Sequence, residues 1–149
     1  ITQTMNTVSD ILLRKNRPVI AIEPTTTVYD AIKLMAENNI GSVLIIENNR
    51  FLGIVTERDY SRKIILKGKS STDTKVIDIM ITDLPAVKEE DTVEYCMHLL
   101  SNSNLRYLPV FDQEQLKGII SISDVIKQML LLIAAKPYLC TYNPSVFAF

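Results

Sequence analysis

The chain is 149 residues long, the size of one compact domain or of two small similar halves, and its 47% hydrophobic and 22% charged residues exclude a disordered chain. Lys and Arg number 16 against 17 Asp and Glu, so the net charge of −1 lacks the basic excess of a nucleic-acid binder. Two cysteines and one histidine exclude a disulfide scaffold and a four-thiolate zinc site, and they leave little for acid–base catalysis near neutral pH. No apolar run approaches the roughly 20 residues that cross a bilayer. The longest, residues 129–135, stands at the wrong end for a signal peptide. The chain starts at Ile1 rather than Met, as a trimmed or processed product does. The default expectation is a soluble cytoplasmic protein; a removed organelle-targeting segment would leave no trace in this chain.

In chain order, a short helical entry at residues 8–14 leads to an extended stretch at 18–23. Val28, Ala31, Ile32 and Met35 then recur at helical spacing, with Thr26 as the expected N-cap. A nearly continuous apolar run at 42–46 predicts a buried strand. The polar turn Glu47-Asn48-Asn49-Arg50 follows, then a returning strand at 51–55 and a helix from Thr56 onward. Residues 67–75 form a polar linker, expected to be flexible.

The same order then repeats. The second copy has an entry at 76–80, an extended stretch at 84–88 and a helix carrying Val93, Cys96, Met97 and Leu100, with Asp91 as the expected N-cap. Strands at 107–111 and 116–120 flank the turn Asp112-Gln113-Glu114-Gln115, and a helix starts at Ser121. A shift of 65 residues carries Thr27-Val28 onto Thr92-Val93, Gly53-Ile54 onto Gly118-Ile119 and Asp59 onto Asp124. The entry segments match at a shift of 68, Ser9 falling on Ile77. The expected fold is α/β, with two pseudo-symmetric subdomains, each a small mixed sheet with packed helices. They occupy 8–66 and 76–130, followed by a tail at 131–149 whose first residues extend the last helix.

Two segments, Gly-Ile-Val-Thr-Glu-Arg-Asp at 53–59 and Gly-Ile-Ile-Ser-Ile-Ser-Asp at 118–124, resemble the motif of the CBS (cystathionine beta-synthase) domain family: Gly, apolar, any, Thr or Ser, two of any, Asp. The pair is similar to a Bateman module, and residues 56–63 with 106–110 resemble the small stand-alone CBS-pair proteins. The resemblance covers about residues 8–128. It implies a regulatory sensor rather than an enzyme, usually dimeric, which binds an adenine nucleotide in the cleft between its halves. The implied ligands are AMP, ADP, ATP or NAD(H), with S-adenosylmethionine open by the same adenosine chemistry, and no catalytic cofactor is implied. A regulated protein is the further partner. Neither nucleic acid nor membrane is an expected partner.

The site residues admit two readings. Thr56-x-x-Asp59 and Ser121-x-x-Asp124 each have the form of a helix capping box. The same hydroxyl, carboxylate and free N–H groups also suit a phosphate and the vicinal hydroxyls of a ribose. Arg58 and Arg62, four apart, are either a solvated basic face or a guanidinium fork on phosphate oxygens. The second copy has Ser123 and Lys127 there, so the first site is expected to favour the more charged ligand. Arg106 stands where the first copy has Gly41, as a phosphate contact by the resemblance or as a rim ion pair. Val19, Leu84, Pro85, Leu108 and Pro109 form either a flat adenine slot or core packing. The glycines belong to no phosphate loop and are expected at a close backbone approach. Cys96 is expected in the core and His98 on the surface. Cys140 and the aromatic residues Tyr138, Tyr142, Phe147 and Phe149 sit in the tail. A partner-docking module with no functional nucleotide site, using residues 129–149 as its binding element, is the alternative.

Overall fold

The computed structural model describes residues 6–135. They form two compact units, residues 18–84 and residues 6–17 with 85–135. Both are mixed α/β. Neither coincides with one sequence copy, because the two copies have exchanged their entry segments.

In the unit of residues 18–84, β1 (Ala21–Ile22) pairs in parallel with β2 (Ser42–Glu47), which pairs antiparallel with β3 (Arg50–Thr56). Asn48 and Asn49 take the left-handed conformation between β2 and β3, as a tight hairpin requires. Helix α2 (Val28–Asn38) buries Val28, Ala31 and Met35 against Val43, Ile45 and Val55 of the sheet. The Thr27 hydroxyl, not Thr26, caps α2 by accepting the Asp30 N–H at 3.1 Å. Thr26 is instead a backbone partner, its carbonyl accepting the Val76 N–H at 2.9 Å. The expected flexible linker is tied to this unit: Tyr29 and Val28 donate their N–H groups to the Ser71 and Thr74 carbonyls, both at 2.9 Å. Past it, a single 3-10 turn, Val76–Asp78, places Val76 and Ile79 in the core.

In the other unit, β4 (Tyr107–Asp112) and β5 (Gln115–Ser121) form the matching hairpin. Their register breaks between Val110 and Phe111, just as β2 breaks between Ile45 and Ile46, the same place one repeat earlier. The extended stretch expected at 84–88 contributes one parallel bridge, Val87 to Val110. Helix α4 (Val93–Ser101) is capped by Thr92 rather than Asp91, because the Thr92 hydroxyl reaches the Tyr95 N–H at 3.1 Å. The Asp91 carboxylate turns back to accept the Lys88 N–H at 2.8 Å. Helix α1 (Val8–Lys15) opens with its own capping box, Thr7 and Asp10, and buries Val8 and Ile11 in this core. Its start docks on the start of α4: the Val8 N–H bonds the Asp91 carbonyl and the Val93 N–H bonds the Asn6 carbonyl. Cys96 is fully buried, and burial, with Asp91 nearby, pushes its thiol up to about 11. His98 is exposed.

Among the described residues no helix is long and apolar enough to cross a membrane. Cys140, Tyr138, Tyr142, Phe147 and Phe149 lie outside the described residues.

Candidate nucleotide sites at the two strand-to-helix turns

Each copy of the motif sits where a hairpin's second strand runs into a helix. In the first, β3 ends at Thr56 and α3 (Glu57–Asp59) begins, continuing as a wider π-type turn over Tyr60–Ile65. Both halves of a capping box are present. The Thr56 hydroxyl accepts the Asp59 N–H at 3.1 Å, and Asp59 Oδ2 accepts the Thr56 N–H at 3.0 Å. The Thr56 hydroxyl also donates to Oδ2 at 2.9 Å. The other carboxylate oxygen, Oδ1, lies 3.0 Å from Lys63 Nζ. Thr56 and Asp59 are both buried, and Lys63 also donates to the Ile79 carbonyl at 2.7 Å. Every oxygen of this carboxylate is therefore engaged by the unit itself.

The second copy repeats the box with a different cation. Ser121 caps α5 (Ile122–Ala134) by accepting the Asp124 N–H at 3.1 Å, and Asp124 Oδ2 accepts the Ser121 N–H at 2.8 Å. Lys15, from α1, joins the same Oδ2 at 3.0 Å and donates to the Ile119 carbonyl at 2.9 Å. Burial opposes ionisation of Asp124, but the Ser121 N–H and Lys15 outweigh it, holding its carboxyl below the ordinary carboxylate value. Arg14 fastens the same helix, Nε to Gln128 Oε1 at 2.9 Å and Nη2 to the Asp124 carbonyl at 3.0 Å.

The remaining expected residues divide as follows. Arg106 and Gly41 are structural counterparts: their carbonyls accept the Ile122 and Glu57 N–H groups at 2.9 and 3.1 Å, so Arg106 is anchored beside the start of α5. Its side chain is exposed, as is that of Arg62, while Arg58 is half-buried. None of the three makes an ion pair among the described residues. Of the apolar set, Val19 and Leu84 belong to one unit, and Pro85, Leu108 and Pro109 to the other. Leu108 is wholly inside the core of its unit and Pro109 is buried, its carbonyl accepting the Val87 N–H. Burial of both on β4 is what the core-packing alternative requires. Val19 is exposed, and Leu84 and Pro85 are half-buried.

Gly53 does meet a close backbone approach. A Cβ there would stand 2.5 Å from the Ile81 carbonyl oxygen, which the paired backbone of Ile54 holds in place. Gly118 faces only the tip of Leu12, at 3.0 Å.

Two residues of these turns lay beyond the sequence reading, Lys63 and Lys15. The first was within reach, since Asp59 and Lys63 stand four apart on one helical stretch. Lys15 carried no local signal, because 109 residues separate it from Asp124.

The sequence profile of the CBS domain matches residues 8–66 and 76–131. The CBS domain-containing protein CBSX3, mitochondrial, of Arabidopsis thaliana is 36% identical over 133 residues; the match covers 83% of this chain and spans 65% of that relative's length. The CBS-domain containing protein ATU1752 of Agrobacterium tumefaciens aligns with a TM-score of 0.80 at 28% identity, over 87% of this chain and 97% of that one. The CBS domain pair of protein MJ0100, solved in complex with methylthioadenosine and S-adenosyl-L-methionine, has a TM-score of 0.72 at 22% identity. That alignment covers 83% of this chain and 94% of that one, a likeness of fold.

Proposed function

Because the chain belongs to the CBS domain family, we propose that it is a regulatory module that senses an adenine nucleotide and catalyses no reaction itself. The observation that carries this reading is the recurrence, in two separate units, of one cluster at a strand-to-helix turn: a hydroxyl, a carboxylate and backbone N–H groups. Such a cluster suits the ribose and phosphate of AMP, ADP, ATP or NAD(H). S-adenosylmethionine, which shares the adenosine half, is a ligand of the same class. Exposed Arg62 and Arg106 add cationic charge for a phosphate. Binding acts by shifting the module between conformations, which a regulated partner protein reads.

A melting panel with AMP, ADP, ATP, NAD, NADH and S-adenosylmethionine tests the reading. A ligand at a hundredfold excess over its Kd adds about 2.7 kcal/mol to native-state stability. For a chain of this size that raises Tm by roughly 5–10 °C. No shift with any of them at millimolar concentration sinks the sensor.

One observation favours a second reading, a partner-docking module without a nucleotide site: both aspartates already close complete capping boxes. That reading expects no thermal shift in the panel, and loss of partner binding when residues 129–149 are removed.

A further inference from the structure

The two aspartates are neutralised differently, and the difference decides which motif is open to a ribose. Asp59 has no oxygen to spare. Oδ2 serves Thr56, and Oδ1 carries the Lys63 ammonium at 3.0 Å. Lys63 is itself tied at a second point, the Ile79 carbonyl at 2.7 Å. A ribose hydroxyl approaching Oδ1 would have to expel this ammonium from a carboxylate only 7% exposed, and would strand the Ile79 carbonyl as well.

In the second motif the Ser121 N–H and the Lys15 ammonium converge on the same oxygen, Oδ2, and the Ser121 hydroxyl also helps to hold the carboxylate ionised. Oδ1 of Asp124 has no partner among the described residues, and the side chain retains 15% exposure. A diol can add to it without breaking a bond. At the position matching Lys63 the second copy has Gln128, an uncharged amide whose Oε1 accepts from Arg14.

We propose that Lys63 is a specificity-determining residue: it closes the first motif, so the chain takes one ribose-bearing ligand, at Asp124. The assignment rests on the nucleotide reading above and runs against the expectation, drawn from Arg58 and Arg62, that the first site takes the more charged ligand.

Calorimetric titration of the full chain with AMP, and separately with ATP and S-adenosylmethionine, tests it. The expected stoichiometry is one ligand per chain. Asp124→Ala should weaken binding tenfold or more, with thermal melting run alongside to establish that the variant folds. Lys63→Gln, which gives the first motif the residue type of the second, should raise the stoichiometry towards two. The added site should vanish in Lys63→Gln/Asp59→Ala. Two ligands per wild-type chain, a single site that survives Asp124→Ala, or a stoichiometry still at one in Lys63→Gln would each overturn the assignment. If Asp124→Ala does not fold, the wild-type and Lys63→Gln stoichiometries decide alone. No binding of any of the three probes would instead overturn the nucleotide reading, and the assignment with it.

Discussion

Asp59 and Asp124 share a sequence position within the repeat but not an energetic one. Asp59 is buried with both oxygens engaged, so Asp59→Ala leaves the buried Thr56 N–H without its acceptor and removes the counter-charge of Lys63, which keeps only the Ile79 carbonyl. A loss of about 2–3 kcal/mol is expected. Asp124→Ala should cost about 1–2 kcal/mol, nearer to the loss of a cap, and urea denaturation of the two variants checks the order. The pH dependence at Asp124 has a definite sign. Its native carboxyl is held below the ordinary value, so its stabilisation is complete above the unfolded-state pKa near ~3.9 and is lost as pH falls through the lower native one. The stability gap between wild type and Asp124→Asn should therefore be constant from pH 5 to 7 and shrink on acidification below ~3.9. The two motif glycines separate in the same way. Gly53→Ala drives a Cβ against the Ile81 carbonyl and should cost about 1–3 kcal/mol, whereas Gly118→Ala asks only that the Leu12 side chain swing aside and should stay within ~1.5 kcal/mol. Equal losses at the two glycines would contradict the backbone approach at Ile81.

At the scale of elements, the exchange of entry segments is the feature with the largest consequence. Helix α1 precedes the first motif in sequence, yet Val8 and Ile11 complete the core that holds β4, β5, α4 and α5. Ile11→Ala should cost about 2–5 kcal/mol, as a fully buried aliphatic truncation does. The effect should be local. In native-state hydrogen exchange, the amides of β4 and β5 should lose protection first, with those of β2 and β3 retained. The opposite pattern would place α1 on the wrong unit. The same helix carries Arg14 and Lys15, whose bonds to Gln128, Asp124 and the Ile119 carbonyl join it to α5 and β5. The second motif's aspartate is therefore positioned by an element that the linear motif does not contain.

For the whole molecule, α5 raises the question of assembly. One stripe, Val125, Met129 and Leu132, packs on the core with buried Gln128 beside it. A second, Ile126, Leu130 and Ile133, remains exposed, so the helix is apolar around most of its circumference. A helix of this kind is ordinarily covered, in keeping with the dimer that the family resemblance implies. Light scattering at high micromolar concentration should give about twice the 16.9 kDa chain mass. Leu130→Glu, which places a carboxylate within the exposed stripe, should shift the population towards monomer. Only monomer mass for the wild type would refute the dimer.

The sequence by itself determined the repeat, the family, the hairpins and, to within one residue, the helix starting points, because these depend on contacts within a few residues. The alternation of apolar residues, the Asn-Asn turn and the Thr/Ser-x-x-Asp boxes each act over one turn or one hairpin. Even the errors at Thr26 and Asp91 were slips of one position, the adjacent Thr27 and Thr92 hydroxyls making the caps. Only the tertiary structure decided where α1 belongs, that Leu108 and Pro109 are buried while Val19 is exposed, and how each aspartate is neutralised. Val8 and Ile11 are apolar in any arrangement, so periodicity marks their face as one to be buried without saying against what. A carboxylate's availability is likewise a matter of which cation reaches which oxygen. For Asp59 that cation lies four residues away, and for Asp124 it comes from 109 residues away, a separation that only packing can close.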